Sequence, residues 1–236
     1  MSKDDPFLRY SRQIFMEEVA VSGQRKIMNS SVLIVGAGGL GSPIIQYLAA
    51  AGIGHIAVVD FDKLEIHNLH RQVLHTESYI GKSKVSSAKN FVNNLNSTIE
   101  FTPINLKIDQ TNVENLLSKY DIILDGSDNF ETRYLINDTC VKLKKPLVYG
   151  SINSFEGQVG VFNYNLGKNL RDIFPDPPNT NAIKNCEMNG VLGPLAGIIG
   201  SMMAMQTLKI ILGLPIDSNQ LTLVDTMYWN FTKINF

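Results

Sequence analysis

Four glycines fall within six residues in Gly36-Ala-Gly38-Gly39-Leu-Gly41, directly after the apolar run Ser31-Val-Leu-Ile-Val35. Glycines at this spacing let a backbone approach phosphate closely, and a helix opening behind them supplies free N–H groups and a positive dipole end. Asp60 closes the next apolar run, 19 residues after Gly41. A carboxylate there is placed to accept hydrogen bonds from ribose hydroxyls. The pairing points to an adenosine nucleotide and leaves NAD, FAD, S-adenosylmethionine and ATP all open.

A polar cluster follows: Asp60-Phe-Asp62, then Asn68-Leu-His-Arg71-Gln72, then Lys84. Asn, Arg and Lys after a ribose-binding strand suit a triphosphate, because guanidinium and ammonium groups offset phosphate charge and charge that develops during displacement. A later strand ends in Asp125-Gly-Ser-Asp128-Asn129. A carboxylate at that strand end, beside a triphosphate, is a natural Mg2+ ligand, so Asp128 is the candidate metal residue. All four histidines, His55, His67, His70 and His75, lie between the second strand and the helix after it. A hydride-transfer enzyme of this layout would place its acid–base group in the C-terminal half, so they argue against a dehydrogenase and are read as structural or surface residues.

These residues need a scaffold, and the apolar pattern supplies one. Strands are predicted at Ser31–Val35, His55–Val59, Ile99–Leu106, Asp121–Leu124 and Pro146–Tyr149, with helices at Pro43–Ala51, Lys84–Asn94, Thr111–Lys119 and Glu131–Leu143. The alternation predicts an α/β fold, a Rossmann-like, mainly parallel sheet with helices on both faces. Gln158–Tyr164 and Leu221–Ile234 extend it as C-terminal antiparallel strands. Asp5–Met28 reads as one or two amphipathic helices. The polar, proline-bearing stretch Asn165–Asn189 reads as a loop, and a loop that long is usually functional.

The chain has 236 residues, 44% hydrophobic and 18% charged, enough for a sizeable core. A formal net charge of -1 gives no global basic field, so neither nucleic acid nor a membrane is expected as a partner. Two cysteines, Cys140 and Cys186, make no disulfide framework, and the charged Met1–Arg12 segment lacks a signal-peptide core. A cytoplasmic location is expected. Val191–Leu214 is strongly apolar but is broken by Pro194, Ser201, Gln206, Thr207 and Lys209. It is read as a buried helix from near Pro194 to Gly213, since a span needs about 20 nearly continuous apolar residues.

Arg9-Tyr-Ser-Arg12-Gln13, the glycine turn, Asp60-Phe-Asp62, Asn68 to Gln72, Lys84, Ser127-Asp128-Asn129 and Gly190-Val-Leu-Gly-Pro194 occur in that order. Together they resemble the ThiF/MoeB/HesA family of ubiquitin-activating-like adenylyltransferases, from about Arg9 to the C-terminus. The resemblance implies a single adenylation domain, 1–236, with an N-terminal helical arm, 1–28, and a flexible crossover loop, 165–189. It implies ATP and Mg2+, and a partner that is a small β-grasp sulfur-carrier protein ending in Gly-Gly. The carrier's terminal carboxylate would attack the α-phosphate and release pyrophosphate, a step needing in-line positioning and charge neutralisation but no protein nucleophile. Carried over by position, Gly36, Gly38, Gly39 and Gly41 contact phosphate and Asp60 holds ribose. Asn68, Arg71 and Lys84 steady the triphosphate, with Asp62, Gln72 and Asn129 beside them, and Asp128 binds Mg2+. Arg12 would reach into the neighbouring subunit of a homodimer. Lys84 is expected to serve phosphate and not packing.

The sequence departs from the family pattern at two places. Many members hold zinc with two Cys-x-x-Cys pairs; Asn169 and Asp172 stand where the first pair would be, and the second is not reached by Phe236, so no zinc is expected. Cys186 stands where thiazole-pathway relatives carry a cysteine linked with covalent carrier attachment, and a thiolate there could attack the acyl-adenylate. The leading expectation is therefore activation of a ThiS-like carrier for thiamine thiazole synthesis. The alternatives are the same reaction on the molybdopterin-synthase carrier, an NAD(P)-binding Rossmann oxidoreductase, and a non-catalytic nucleotide-binding scaffold.

Overall fold

The computed structural model describes residues 6–178 and 190–236. Two five-residue apolar runs, Ser31–Val35 (β1) and His55–Val59 (β2), form adjacent parallel strands, each buried at four of five positions. Strand side chains alternate faces, and the core divides accordingly. Val32, Ile34, Ile56 and Val58 join one apolar cluster; Leu33, Val35, Ala57 and Val59 join the other. Burial on both faces is what turns these segments into continuous Val/Ile/Leu runs.

The other parallel strands are Glu100–Ile104 (β3), Ile122–Asp125 (β4) and the first part of Leu147–Asn153 (β5). Helices Gly41–Ala51 (α4) and Lys84–Leu95 (α5) cover the first cluster, while Val113–Leu117 (α6) and Phe130–Leu143 (α7) cover the second. Strand order is β3-β2-β1-β4-β5, followed by three antiparallel strands, Glu156–Phe162 (β6), Gln220–Asp225 (β7) and Asn230–Asn235 (β8). The chain leaves β1 toward β2 on one side and reaches β4 on the other, so a crevice opens at the C-terminal ends of β1 and β4.

Several expectations are corrected. The N-terminal segment forms three short helices, Pro6–Arg9 (α1), Ser11–Ile14 (α2) and Ala20–Met28 (α3). The residue opening α3, Ala20, has φ 47°, a sharp left-handed break between segments. β5 runs four residues past Tyr149 and turns through Ser154 into β6. The stretch read as a loop contains a helix, Leu170–Ile173 (α8), with Asn169 and Asp172 as a reciprocal capping box: Asn169 N–H and Nδ2 donate to Asp172 Oδ2 at 2.7 Å, and Arg171 N–H donates to Asn169 Oδ1. Arg171 also binds Asp138 of α7 through two hydrogen bonds. The positions that would carry zinc ligands in relatives are thus held by hydrogen bonds.

The long helix Gly193–Leu212 (α9) starts and stops as expected, with Gly213 at φ 73° as its C-cap. It is not buried all round. Leu195, Ala196, Ile199, Met203 and Ala204 pack into the core, whereas Met205 on another face is 59% exposed. Its length and apolarity match those of a membrane-crossing helix, but its buried face lies against α4, β5 and β6.

Candidate active site

The glycine turn links β1 to α4. Gly36 sits at φ +93°, in the left-handed region glycine tolerates, and donates its N–H to Val59 O. A Cβ on Gly41 would lie 2.1 Å from Gly36 O, so the turn closes on itself only because that position is glycine. The carboxylate of Asp60, at the end of β2, braces the turn: Oδ2 accepts from Ala37 N–H at 2.8 Å and Oδ1 from Asp62 N–H at 2.8 Å. Burial raises the Asp60 pKa, opposed by the charge of Lys84 and by these backbone donors. Asp60 therefore shapes the turn.

The segment 68–75 touches the turn three times. The Arg71 side chain passes Gly39, with Cγ 3.7 Å from where a Cβ would stand. Gln72 Nε2 lies 3.6 Å from the equivalent point on Gly38. His75 Nε2 lies 2.8 Å from Ala37 O. Asn68 is buried and accepts from Glu65 N–H, completing the capping box of the 3-10 turn Ile66–Asn68. The Arg71 guanidinium donates to His67 O at 3.0 Å and lies 2.8 Å from His70 Nε2. From above, the N-terminus of α9 closes in: Gly193 backs onto the His70 carbonyl, and Ala196 Cβ is 3.4 Å from a Cβ placed on Gly39.

Lys84 corrects an expectation. Its side chain is 8% exposed and its Nζ donates to Asp62 Oδ2 at 2.7 Å, so the residue packs as well as carrying charge. It also occupies the first position of α5, where a cation opposes the helix dipole. Asp62 and the nearby Asp60 offset that cost.

β4 brings the last group. Gly126 and Ser127 press against Gly36, Gly126 O lying 2.8 Å from a Cβ placed there. Asp128 follows, exposed, with its Oδ1 3.5 Å from Asn129 Nδ2. Asn129 is the N-cap of α7 and accepts from Thr132 N–H. Beneath this loop lie two residues the sequence reading missed. Asp125 is fully buried, with Oδ1 accepting from Ser127 N–H and Oγ–H. Burial pushes its pKa up, with the charge of Arg133 and the Ser127 donors pulling it back. Arg133 donates from Nη2 to Ser127 O at 2.7 Å and stacks over Tyr149 at 5.0 Å. Arg133 shares the buried face of α7 with the polar Asn137 and Thr139, so no clean apolar stripe marked it as the exception.

The glycines, Asp60, Asp62, Asn68, Arg71, Gln72 and Lys84 therefore converge on one rim, with Asp128 and Asn129 at its β4 side. Arg12 does not join them. It is exposed and, with Arg9, Tyr47 and Met205, lines a separate surface cavity of about 430 Å³ against α4 and α9. Cys186 lies outside the described residues. Cys140 is core, as expected, and burial raises its thiol pKa. Among the described residues no three His, Cys, Asp or Glu side chains gather as a metal-binding group.

Comparison with known proteins gives these arrangements a context. The profile of the ThiF family matches residues 10–236. The adenylyltransferase and sulfurtransferase MOCS3 of Culex quinquefasciatus is 51% identical over 205 residues, covering 87% of this chain and 47% of that protein. MOCS3 of Xenopus laevis is 46% identical over 228 residues, 96% of this chain and 51% of the relative. The chain spans about half the length of the curated relatives it matches. Among solved structures, E. coli MccB with ATP superposes with a TM-score of 0.81 at 25% identity, over 96% of this chain and 71% of that one. MccB with MccA-N7isoASN gives 0.86 at 23% identity, over 99% and 72%, a likeness of fold.

Proposed function

Because the chain belongs to the ThiF family, we propose that it adenylates the C-terminal carboxylate of a small β-grasp sulfur-carrier protein ending in Gly-Gly. A carboxylate oxygen attacks the α-phosphorus of ATP, the bond to the bridging oxygen breaks, and pyrophosphate leaves with that electron pair. The observation that carries this reading is the meeting of Arg71, Lys84 and the braced glycine turn beneath the N-terminus of α9. Cationic groups fixed at that rim favour the charge that shifts onto the departing pyrophosphate. Asp60 serves the ribose, and Asn68 and Gln72 flank the phosphates.

Asp128 fits Mg2+: it is an exposed hard-oxygen donor, with Asn129 Nδ2 3.5 Å from its Oδ1. Mg2+ takes one or two carboxylates and completes its shell with phosphate oxygens and water, and it would supply charge neutralisation there.

Of the two carriers left open by the sequence, the molybdopterin-synthase type replaces the thiazole type as the main reading. The relatives' name MOCS3 supports it, and the thiazole preference rested on Cys186. The test is ATP–pyrophosphate exchange with each purified carrier. Exchange dependent on the molybdopterin-type carrier is expected; exchange with the thiazole-type carrier alone would reverse the choice, and exchange with neither would defeat both.

Arg12 acts, in this proposal, across a homodimer. Its separation from its own rim and the apolar surface of α4 and α9 beside it, with Tyr47 57% and Met205 59% exposed, support that placement. Mixed dimers of Arg12→Ala and Lys84→Met subunits should recover part of the exchange activity that each homodimer lacks. Proven heterodimers without recovery would remove Arg12 from the site.

A further inference from the structure

We propose that His75 is a positioning residue that sets the orientation of the Ala37–Gly38 peptide, and through it the phosphate-facing N–H of Gly38. The inference rests on the adenylation reading and adds a residue to its machinery. Ala37 is fully buried and tied at both ends. Its N–H donates to Asp60 Oδ2 at 2.8 Å, and its carbonyl meets His75 Nε2 at 2.8 Å. A carbonyl can only accept, so Nε2 carries the proton. In the neutral imidazole the other ring nitrogen, Nδ1, accepts from Ser87 Oγ–H at 2.9 Å. The imidazole thus bridges α5 and the glycine turn.

A trans peptide is planar, with C=O and N–H on opposite edges. No peptide among the described residues is cis. Holding the Ala37 carbonyl toward His75 therefore points the Gly38 N–H the other way, away from the imidazole. Without that anchor the peptide is held only at its flanks, by Asp60 on Ala37 N–H and by Ser42 on Gly38 O, and glycine at 38 adds no Cβ to resist rotation between them. His75 is 6% exposed, while His67 and His70 are exposed and His55 is half-buried. Burial lowers the His75 pKa below its usual 6.5 and the Lys84 charge adds to that, with the Ala37 carbonyl and Asp60 acting in the opposite direction. The surroundings therefore favour the neutral form, in which Nδ1 accepts from Ser87.

The test compares ATP binding and exchange kinetics in three variants of the whole chain. His75→Phe keeps a planar ring but cannot donate, which leaves the Ala37 carbonyl and the Ser87 hydroxyl buried without their partner. An orphaned buried polar group corresponds to roughly a tenfold or greater loss of affinity when the loss falls on the bound state. ATP affinity should fall about tenfold and KM for ATP rise with it, while kcat for exchange stays within about threefold, because the reacting groups are untouched. His75→Gln retains a donor and an acceptor and should return affinity to within about threefold of the parent. Ser87→Ala should weaken ATP in the same direction by less. Equal binding by parent and His75→Phe, or equal loss in the Phe and Gln variants, overturns the role. If the Phe variant does not fold, unchanged affinity in Ser87→Ala overturns it instead. A parent chain that binds no ATP would defeat the adenylation reading itself, a result distinct from any difference among variants.

Discussion

Gly41→Ala is expected to lose measurable ATP binding and about 2–3 kcal/mol of stability, in the range that overpacking costs. The added methyl would meet Gly36 O at 2.1 Å and Gly36 C at 2.9 Å, both backbone atoms that no rotamer change can move. Gly36 has no room to yield. Its N–H is bound to Val59 O, and its own open side faces Gly126 O. Any relief must displace β1, the 126–127 loop or the first turn of α4, and all of these frame the rim. Chemical denaturation with ATP titration gives both quantities. Gly197→Ala is the control: it lies inside α9 with nothing within 4 Å of its would-be Cβ, and alanine there should be neutral or stabilising by up to about 1 kcal/mol. Parent-like ATP affinity in Gly41→Ala would remove the turn from the nucleotide site.

Lys84→Met should lower ATP–pyrophosphate exchange by about 10²–10³-fold, the loss typical when one preorganised charge-stabilising group is deleted. Methionine keeps most of the buried stem, so the packing that Lys84 also supplies is largely retained. The partner left behind, Asp62, has a side chain 47% exposed and is resolvated readily. The stability loss should therefore stay near 1 kcal/mol, or about 2–4 °C in melting temperature. Removal of the cation from the first position of α5 recovers part even of that. Exchange reduced only a few-fold, at parent-like stability, would show that Lys84 serves the fold and its ion pair alone.

The parallel half of the fold was legible because double-sided burial writes itself as short Val/Ile/Leu runs. β1 and β2 lie where those runs do, to the residue. The α8 segment was not, although Asn169-x-x-Asp172 is a capping signature. Its four-residue helix is too short to carry an apolar period, and prolines on its far side suggested a loop. The β5–β6 turn was hidden for a related reason. Ser154, not glycine, takes the left-handed position at φ 54°, and polar residues at 151–156 masked the strand ends. In the site, residue types that act by charge were readable: Asp60, Arg71, Lys84 and Asp128 each stand at or beside the rim. What spacing could not reveal was which side chains hold the others. His75, Asp125 and Arg133 work through backbone groups or buried partners, and no linear pattern announces such contacts. Lys84 was half-read, since a buried ammonium paired with Asp62 looks in sequence like any surface lysine.

The sheet passes from strands enclosed on both faces to one with all six residues exposed, β8. Amide protection should follow that gradient, because the free energy of local opening rises with the apolar area an element buries. β8 can then open and reclose while β7, whose Leu221 and Val224 are buried in the core, stays paired to β6. The fold thus keeps this readily exchanged strand at the margin of the sheet farthest from β1 and β2.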